Sequence, residues 1–117
     1  MAGSPLKVVP AGSMKAEDKT PGVRSRNLAF SARVMMFETE IDGGSQRPPH
    51  AHPHDQICYV VKGEIEVVVG NDRQVCHPGD SFAIPGGVMH SIGARTDALI
   101  VDAFNQVAAQ AKDGGKA

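Results

Sequence analysis

The sequence predicts an all-β fold, a sandwich or barrel of short strands within one domain. From residue 23 onward, short runs rich in Val, Ile, Met and Phe alternate with Gly, Pro, Asn and Asp. Turn signals that recur every ~8–12 residues are typical of sandwiches and barrels. Before residue 104, no segment repeats its apolar residues with the period of a helix. The length of 117 residues is enough for one hydrophobic core.

The elements follow from this pattern in chain order. Residues 1–22 are rich in Pro, Gly, Lys and Ala and predict a flexible arm, whose residues 6–9 are expected to add an edge strand. Residues 23–104 predict the barrel, and residues 105–117 a loose tail. Gly70-Asn71-Asp72 predicts a hairpin turn, because Gly and Asn tolerate positive φ. Within the barrel, strands are expected at residues 33–41, 57–61, 64–69, 73–76, 81–84, 89–92 and 98–104.

Charge and hydropathy exclude some classes of function. The formal net charge is −1, from 12 basic and 13 acidic side chains, so we expect no nucleic-acid partner and no anionic membrane surface. No apolar run approaches the ~20 residues of a membrane span. The first residues lack the charged and apolar regions of a signal peptide, which favours a cytoplasmic location.

The two cysteines, Cys58 and Cys76, lie in neither a Cys-x-x-Cys nor a zinc-finger spacing. In a reducing compartment they are expected to be small apolar core residues. Cys58 shares strand parity with Gln56, so a position beneath a bound metal ion stays open to it.

The strongest functional signal is a set of histidines at strand spacing. His50, His52 and Gln56 share one strand parity, so their side chains are expected on one face. His90 comes from a later strand. Neutral imidazole is the commonest protein ligand for divalent transition metals. These four residues therefore predict a cage for one metal ion.

The identity of that ion is not decided by the ligands, because imidazole-rich sites accept zinc, manganese, iron, nickel and cobalt. Gln56 offers a carbonyl oxygen and adds no charge, so the ion would keep more Lewis acidity than with Glu. His54 shares the parity and is expected at the rim, or orienting a ligand. Arg47 is expected to meet an anionic substrate at the mouth or to be a surface Arg.

Two spacings in the chain resemble the two motifs of the cupin family. The first motif is resembled by the spacing of Gly44, His50, His52, Gln56 and Gly63. The second motif is resembled by a later set of residues that ends at His90. Gln56 stands where the first motif usually has Glu, and Ala94 where the second often ends in Asn. The resemblance implies a single-domain cupin, a double-stranded β-helix or jelly-roll barrel, that forms a homodimer. The residues that resemble the second motif are Gly79, Pro85, Gly87 and His90.

The last expected strand holds Asp102 within an apolar run, which is unusual because burying a lone carboxylate is costly. Asp102 is either a general base near the metal or a strand-end Asp paired with an Arg or a backbone donor. Here the chain resembles a group of small cupins, one of which converts unsaturated uronates from pectin or alginate breakdown into linear keto sugars. The resemblance implies that Asp102 and Phe104 are its catalytic-strand residues. That enzyme has an Arg where this chain has Ala108.

These observations predict a metal-dependent small cupin that acts on a small oxygenated molecule of sugar-acid or keto-acid type. The expected chemistry is proton transfer, tautomerisation or ring opening. Asp102 is expected to move the proton, while Arg47 and Phe104 contact substrate. Two alternatives stay open: a metal-dependent dioxygenase on a small diketone or phenolic substrate, and a non-enzymatic module that binds a small molecule.

Overall fold

The computed structural model describes residues 5–105, which form ten β-strands arranged as two sheets. One sheet has six strands in the order β1-β2-β3-β10-β5-β8, and the other has four in the order β4-β9-β6-β7. All the pairings are antiparallel. The strands are β1 Glu17–Thr20, β2 Val23–Phe30, β3 Val34–Ile41, β4 Gln46–His50, β5 Gln56–Lys62, β6 Ile65–Val69, β7 Asp72–Cys76, β8 Ser81–Ile84, β9 His90–Ala94 and β10 Ala98–Asn105.

The two sheets enclose one core, and the alternation of buried and exposed residues along each strand explains it. In β5, every second residue from Gln56 to Val60 is buried and the residues between them are exposed. Side chains on successive residues of a strand point to opposite faces, so one face of each sheet is apolar and faces the other sheet. This arrangement confirms the predicted all-β jelly-roll of a single domain. The main core cluster includes Val23, Ile41, Val60, Ile65, Ile92 and Ile100.

The ends of the chain differ in detail from the sequence prediction. The strand in the N-terminal arm is Glu17–Thr20, which pairs with β2, whereas residues 6–9 form no regular structure. Burial at residues 17–20 is slight, so this edge strand depends on main-chain pairing rather than on its apolar content. The predicted tail and the position Ala108 lie outside the described residues, apart from Asn105. No helix within residues 5–105 has the length and apolarity that a bilayer crossing needs.

A bulge in β4 determines which side chains enter the barrel. Arg47 pairs with Ile92, and the next pair is His50 with His90, so β4 contains one residue more than β9 between these two pairs. The intervening residues, Pro48 and Pro49, have no N–H to donate to a ladder. Because of the extra residue, Arg47 and His50 both face inward although their sequence parity differs.

Candidate metal centre

Three histidines from two strands and one loop meet at one end of the barrel. His50 ends β4, His90 begins β9, and His52 lies in the loop between β4 and β5. One ring nitrogen from each lies within 4.8 Å of the others. The His90 and His52 side chains are buried, and His50 is half-buried. The structure therefore brings together the three imidazoles that the sequence predicts as ligands.

The hydrogen bonds of these rings determine which nitrogen is available. The Nδ1 atoms of His50, His52 and His90 lie 3.0, 3.0 and 2.9 Å from the main-chain oxygens of Pro48, His54 and Val88. A carbonyl oxygen only accepts, so each Nδ1 must carry the proton and donate it. Each neutral ring then has its lone pair on Nε2. The His90 Nε2 is buried and has no hydrogen-bond partner within residues 5–105.

Gln56 supplies an oxygen beside these nitrogens. Its Oε1 lies 3.2 Å from His52 Nε2, and its Nε2 donates to Asp102 Oδ1 at 2.9 Å. The bond to Asp102 fixes the orientation of the amide, because a carboxylate oxygen accepts and the NH₂ group must face it. Two acceptor atoms, a lone-pair nitrogen and an amide oxygen, are thereby left facing each other. A cation shared between them would relieve this contact.

Asp102 lies against Gln56 and is fully buried. Burial raises the pKa of its carboxyl group, and the hydrogen bond from Gln56, together with the nearby Cys58 thiol and Thr39 hydroxyl, opposes that rise. Its Oδ2 has no partner of ordinary hydrogen-bond geometry in the described part of the chain. The proximity of Cys58 agrees with the parity argument from the sequence.

Thr39 extends this polar group toward β2, through a contact of 2.6 Å between its hydroxyl and that of Ser25. Both hydroxyls are buried, so they continue the buried polar group of Gln56 and Asp102. Neither residue stands out in the sequence, since an isolated Ser or Thr within a strand carries little signal. The alternation of β3, which places Thr39 on the inward face with Phe37 and Ile41, was the available clue.

His54 and Phe104 form a ring stack behind His52. The His54 ring lies parallel to that of His52, with centroids 3.9 Å apart, and its main-chain oxygen holds His52 Nδ1. Phe104 meets the edges of both rings, at 5.7 Å for His52 and 4.7 Å for His54. His54 is fully buried, so it packs against His52 inside the barrel and does not lie at the rim. Phe104, which is also buried, braces the same rings, and its contact with a substrate stays a prediction.

Arg47 supplies the positive charge near the centre. It lies partly buried on β4, and its charge lowers the pKa of both His50 and His90, although burial is the larger cause for each. Its charge also favours the ionised form of Asp102. Arg47 is thus an inward-facing cation beside the histidines, which is the position an anionic substrate group would require.

Two glycines bring the loop before β9 against the loop that carries His52. The Gly87 N–H donates to the His52 oxygen at 2.7 Å, and Gly87 has a φ of 83°. A Cβ on Gly86 would overlap the main-chain oxygen of Pro53. Only glycine allows both the left-handed backbone and this close approach. These two residues therefore hold the His52 loop in place relative to β9.

The residues present fit a divalent metal ion on three observations. Ring nitrogens of three histidines converge, the Nε2 of His90 is buried without a partner in the described part of the chain, and an amide oxygen lies beside the Nε2 of His52. Neutral imidazole and carbonyl oxygen are ligands that zinc, iron, nickel, cobalt and manganese accept. The donor set does not distinguish among these metals.

Comparisons with known proteins agree with this arrangement. The family described as Cupin domain matches residues 37–104. The pectin degradation protein KdgF of Dickeya dadantii (strain 3937) is 28% identical over 97 residues, which are 76% of this chain and 88% of that protein. Oxalate oxidase 1 of Hordeum vulgare is 36% identical over 84 residues, which are 62% of this chain and 41% of the oxidase.

Solved structures show the same relationship. The structure of KdgF from Halomonas sp. superposes with a TM-score of 0.82 at 30% identity, covering 90% of this chain and 98% of that one. The resemblance stated from the spacing of the two motifs is therefore confirmed at the level of the family.

Proposed function

Because the chain belongs to the cupin family, and because its three histidines converge beside a buried carboxylate, we propose that it is a metal-dependent enzyme. Its substrate would be a small oxygenated molecule of sugar-acid or keto-acid type. The reaction would be a proton transfer, a tautomerisation or a ring opening. The observation that carries the proposal is the chain of contacts from His52 to Gln56 to Asp102, at 3.2 and 2.9 Å. The name of the KdgF relative supports the sugar-acid class.

In this proposal His50, His52, Gln56 and His90 hold one divalent ion. A bound ion would polarise a carbonyl or hydroxyl oxygen of the substrate. The main-chain carbonyls of Pro48, Val88 and His54 keep each ring in the tautomer that presents Nε2. Preorganised ligands of this kind bind without first giving up other partners.

The proposed role of Asp102 is to take up and return the proton. A carboxylate that exchanges protons near neutral pH needs a raised pKa, and the full burial of Asp102 raises its pKa. Gln56 fixes Oδ1, which leaves Oδ2 as the oxygen that exchanges the proton. Arg47 would bind the carboxylate of the substrate, and Phe104 would line the floor beneath it.

Metal analysis tests the first part of the proposal. Purified protein should contain one divalent ion, and the double variant His50→Ala/His52→Ala should contain none. His77→Ala is the matched control, because His77 is an exposed histidine in the turn after β7. Stoichiometric metal in the double variant would refute the ligand assignment.

Asp102→Asn tests the second part. The variant should fold, keep its metal and lose turnover by about 10²–10⁴-fold, which is the rate enhancement that a positioned general base usually contributes. The assay follows the disappearance of an unsaturated uronate or the tautomerisation of a small keto acid. Thr39→Val is the control, because it removes a neighbour of the carboxylate without removing the carboxylate. Normal turnover per folded molecule of Asp102→Asn would make Asp102 a structural residue.

Oxygen chemistry is the second candidate, and the similarity to an oxalate oxidase favours testing it. A dioxygenase needs iron, nickel or another redox-active ion, whereas a lyase or isomerase works with zinc. Activity that zinc restores, without oxygen consumption, supports the first proposal. Activity that requires iron or nickel and consumes oxygen supports the second. Affinity for a small molecule without turnover would indicate a binding module.

A cytoplasmic homodimer is part of the same proposal. The two free cysteines suit a reducing compartment. The outer face of the six-stranded sheet carries an apolar row in register, Met36, Ala103 and Ile57, with Tyr59 beside it. Ile57 is 60% and Tyr59 50% exposed, and exposed apolar patches often mark contacts with other chains. Light scattering should show a dimer. A monomer whose mass is unaffected by removal of residues 1–20 would refute this assembly.

A further inference from the structure

A cavity of about 580 Å³ lies between one edge of the six-stranded sheet and one edge of the four-stranded sheet. Strand β7 is the edge of the four-stranded sheet and β8 is the edge of the six-stranded sheet, and these two edges do not pair. The chain closes one end of the gap with the turn that joins Cys76 to Ser81.

One end of this cavity adjoins the metal centre. Val69 lines the cavity and is the cross-strand partner of His90. On the opposite sheet, Pro85 lines the cavity and follows Ile84, which is the partner of Gln56. Directly paired residues on antiparallel strands have Cβ atoms only ~4.5–5.5 Å apart. On the four-stranded sheet the cavity therefore begins one cross-strand neighbour away from a histidine of the metal centre, and on the six-stranded sheet it begins next to the cross-strand partner of Gln56.

The lining of the cavity has a definite chemistry. Val67, Val69 and Phe82 form apolar walls, and the charged side chains among the lining residues are Asp72 and Asp80. Neither Lys nor Arg belongs to this lining in the described part of the chain. Asp80 accepts a hydrogen bond from the His77 main-chain N–H at 2.7 Å, whereas Asp72 is exposed at the start of β7. The cavity therefore offers apolar surface with negative charge at its edge.

The positive charge lies on the other side of the histidines. Arg47 is on β4, which is the opposite edge of the four-stranded sheet from β7. The centre thus has a cation toward β4 and an apolar, acidic cavity toward β7. A substrate with two different ends would be oriented by this difference, its anionic end toward Arg47.

We propose that the β7–β8 cavity binds the non-reacting part of the substrate and selects an apolar group, at least the size of one aromatic ring, whose outer end is neutral or cationic. This inference rests on the proposed metal-centred function, since it concerns the substrate of that site. It narrows the proposed substrate class to keto acids with a single carboxylate and an apolar tail, and it disfavours sugar acids and compounds with carboxylates at both ends.

Three probes of similar shape and different charge test the cavity: benzyl alcohol, benzylamine as its cation, and benzoate. Each is titrated into ¹⁵N-labelled full-length protein, first with a chelator present and again with zinc. Benzyl alcohol and benzylammonium should shift the amide signals of Val67, Val69 and Cys76. Benzylammonium should bind about threefold or more tightly than benzoate, as expected for one partly exposed charge. Equal or tighter binding of benzoate at these amides, or no shift with any probe, would overturn the proposal.

Two variants locate the effect. Val69→Phe fills the cavity and should abolish these shifts, whereas Val68→Phe, on the opposite face of the same strand, should preserve them. Asp72→Asn should reduce the preference for benzylammonium over benzoate to about equal binding and should leave benzyl alcohol unaffected. If Val69→Phe does not fold, Gln74→Trp on the exposed edge of β7 replaces it. Unchanged binding in a folded filling variant would place the probe elsewhere and refute the cavity site.

The metal-free titration separates this proposal from the proposed function. Protein that binds no metal but shows the predicted probe selectivity would refute the metal-centred function alone. Protein that binds metal at the histidines but shows no probe at these amides would refute the cavity alone.

Discussion

Replacing Gln56 by Glu should destabilise the protein strongly, although the first cupin motif usually has Glu at this position. The Gln56 amide donates to Asp102 Oδ1 at 2.9 Å, and both side chains are buried, at 1% and 0% exposure. The substitution replaces this donor by a second carboxylate. Two carboxylates at hydrogen-bond distance cannot both stay ionised in a buried site.

The magnitude follows from two competing costs. With both groups ionised at 2.9 Å, an effective dielectric of 20 gives a repulsion of about 6 kcal/mol, from 332/(20 × 2.9). Protonating one carboxyl with an ordinary pKa of about 4 at pH 7 costs about 4 kcal/mol, from ~3 pKa units at 1.36 kcal/mol each. The second cost is lower, so the pair binds a proton. The O–H group then replaces part of the lost amide bond, and we expect a net loss of about 3 kcal/mol at pH 7.

The loss should depend on pH with a defined sign. Because the pair shares a proton, the folded protein binds one proton more than the unfolded chain above pH ~4. The penalty therefore grows by about 1.4 kcal/mol per unit as pH rises through the window between the unfolded pKa and the raised folded pKa. Near pH 5 it should fall to roughly 1 kcal/mol or less. Burial also raises the pKa of Asp102, and it therefore favours the same uptake of a proton by the folded protein.

Urea unfolding of metal-free protein at pH 5 and pH 7 measures this effect. The reciprocal double variant Gln56→Glu/Asp102→Asn restores one amide and one carboxylate, and it should recover most of the lost stability at pH 7. Asp102→Asn alone is the control without like charges. If Gln56→Glu matches the wild type at pH 7, or if its loss does not shrink at pH 5, the electrostatic coupling between the two residues is wrong.

Two further predictions concern the scaffold. Gly63→Ala should cost about 2 kcal/mol or more of unfolding free energy, because Gly63 has a φ of 84° and a Cβ there would overlap the Asp97 carbonyl. Gly79→Ala shares the positive φ but meets open space, so its thermal unfolding should shift less, and equal shifts would contradict the close-approach argument. Native Cys58 and Cys76 should resist alkylation at pH 8, because burial raises the pKa of both thiols. Both should react after unfolding, and rapid labelling of the native protein would show that the barrel opens.

The sequence predicted the fold class and the histidine set for physical reasons that act locally. Strand periodicity of two predicted that His50, His52 and Gln56 converge, although the structure brings them together from the end of β4, the following loop and the start of β5 rather than along one strand. Turn signals such as Gly70-Asn71 depend on the φ values that each residue tolerates. The edge strand that the structure shows in the arm is Glu17–Thr20, which pairs with β2 although it has little apolar content, and an edge strand formed by residues 6–9 stays a prediction.

By itself the sequence determined an all-β barrel with three imidazoles and an amide at strand spacing, since both follow from backbone periodicity and turn chemistry. Only the tertiary structure decided that Gln56 and Asp102, separated by 46 positions, form one hydrogen-bonded pair. It also decided that the β4 bulge brings Arg47 inward and that β7 and β8 stay apart around a cavity. These features depend on register between distant strands, and a shift of one residue would move every side chain of a strand to the other face.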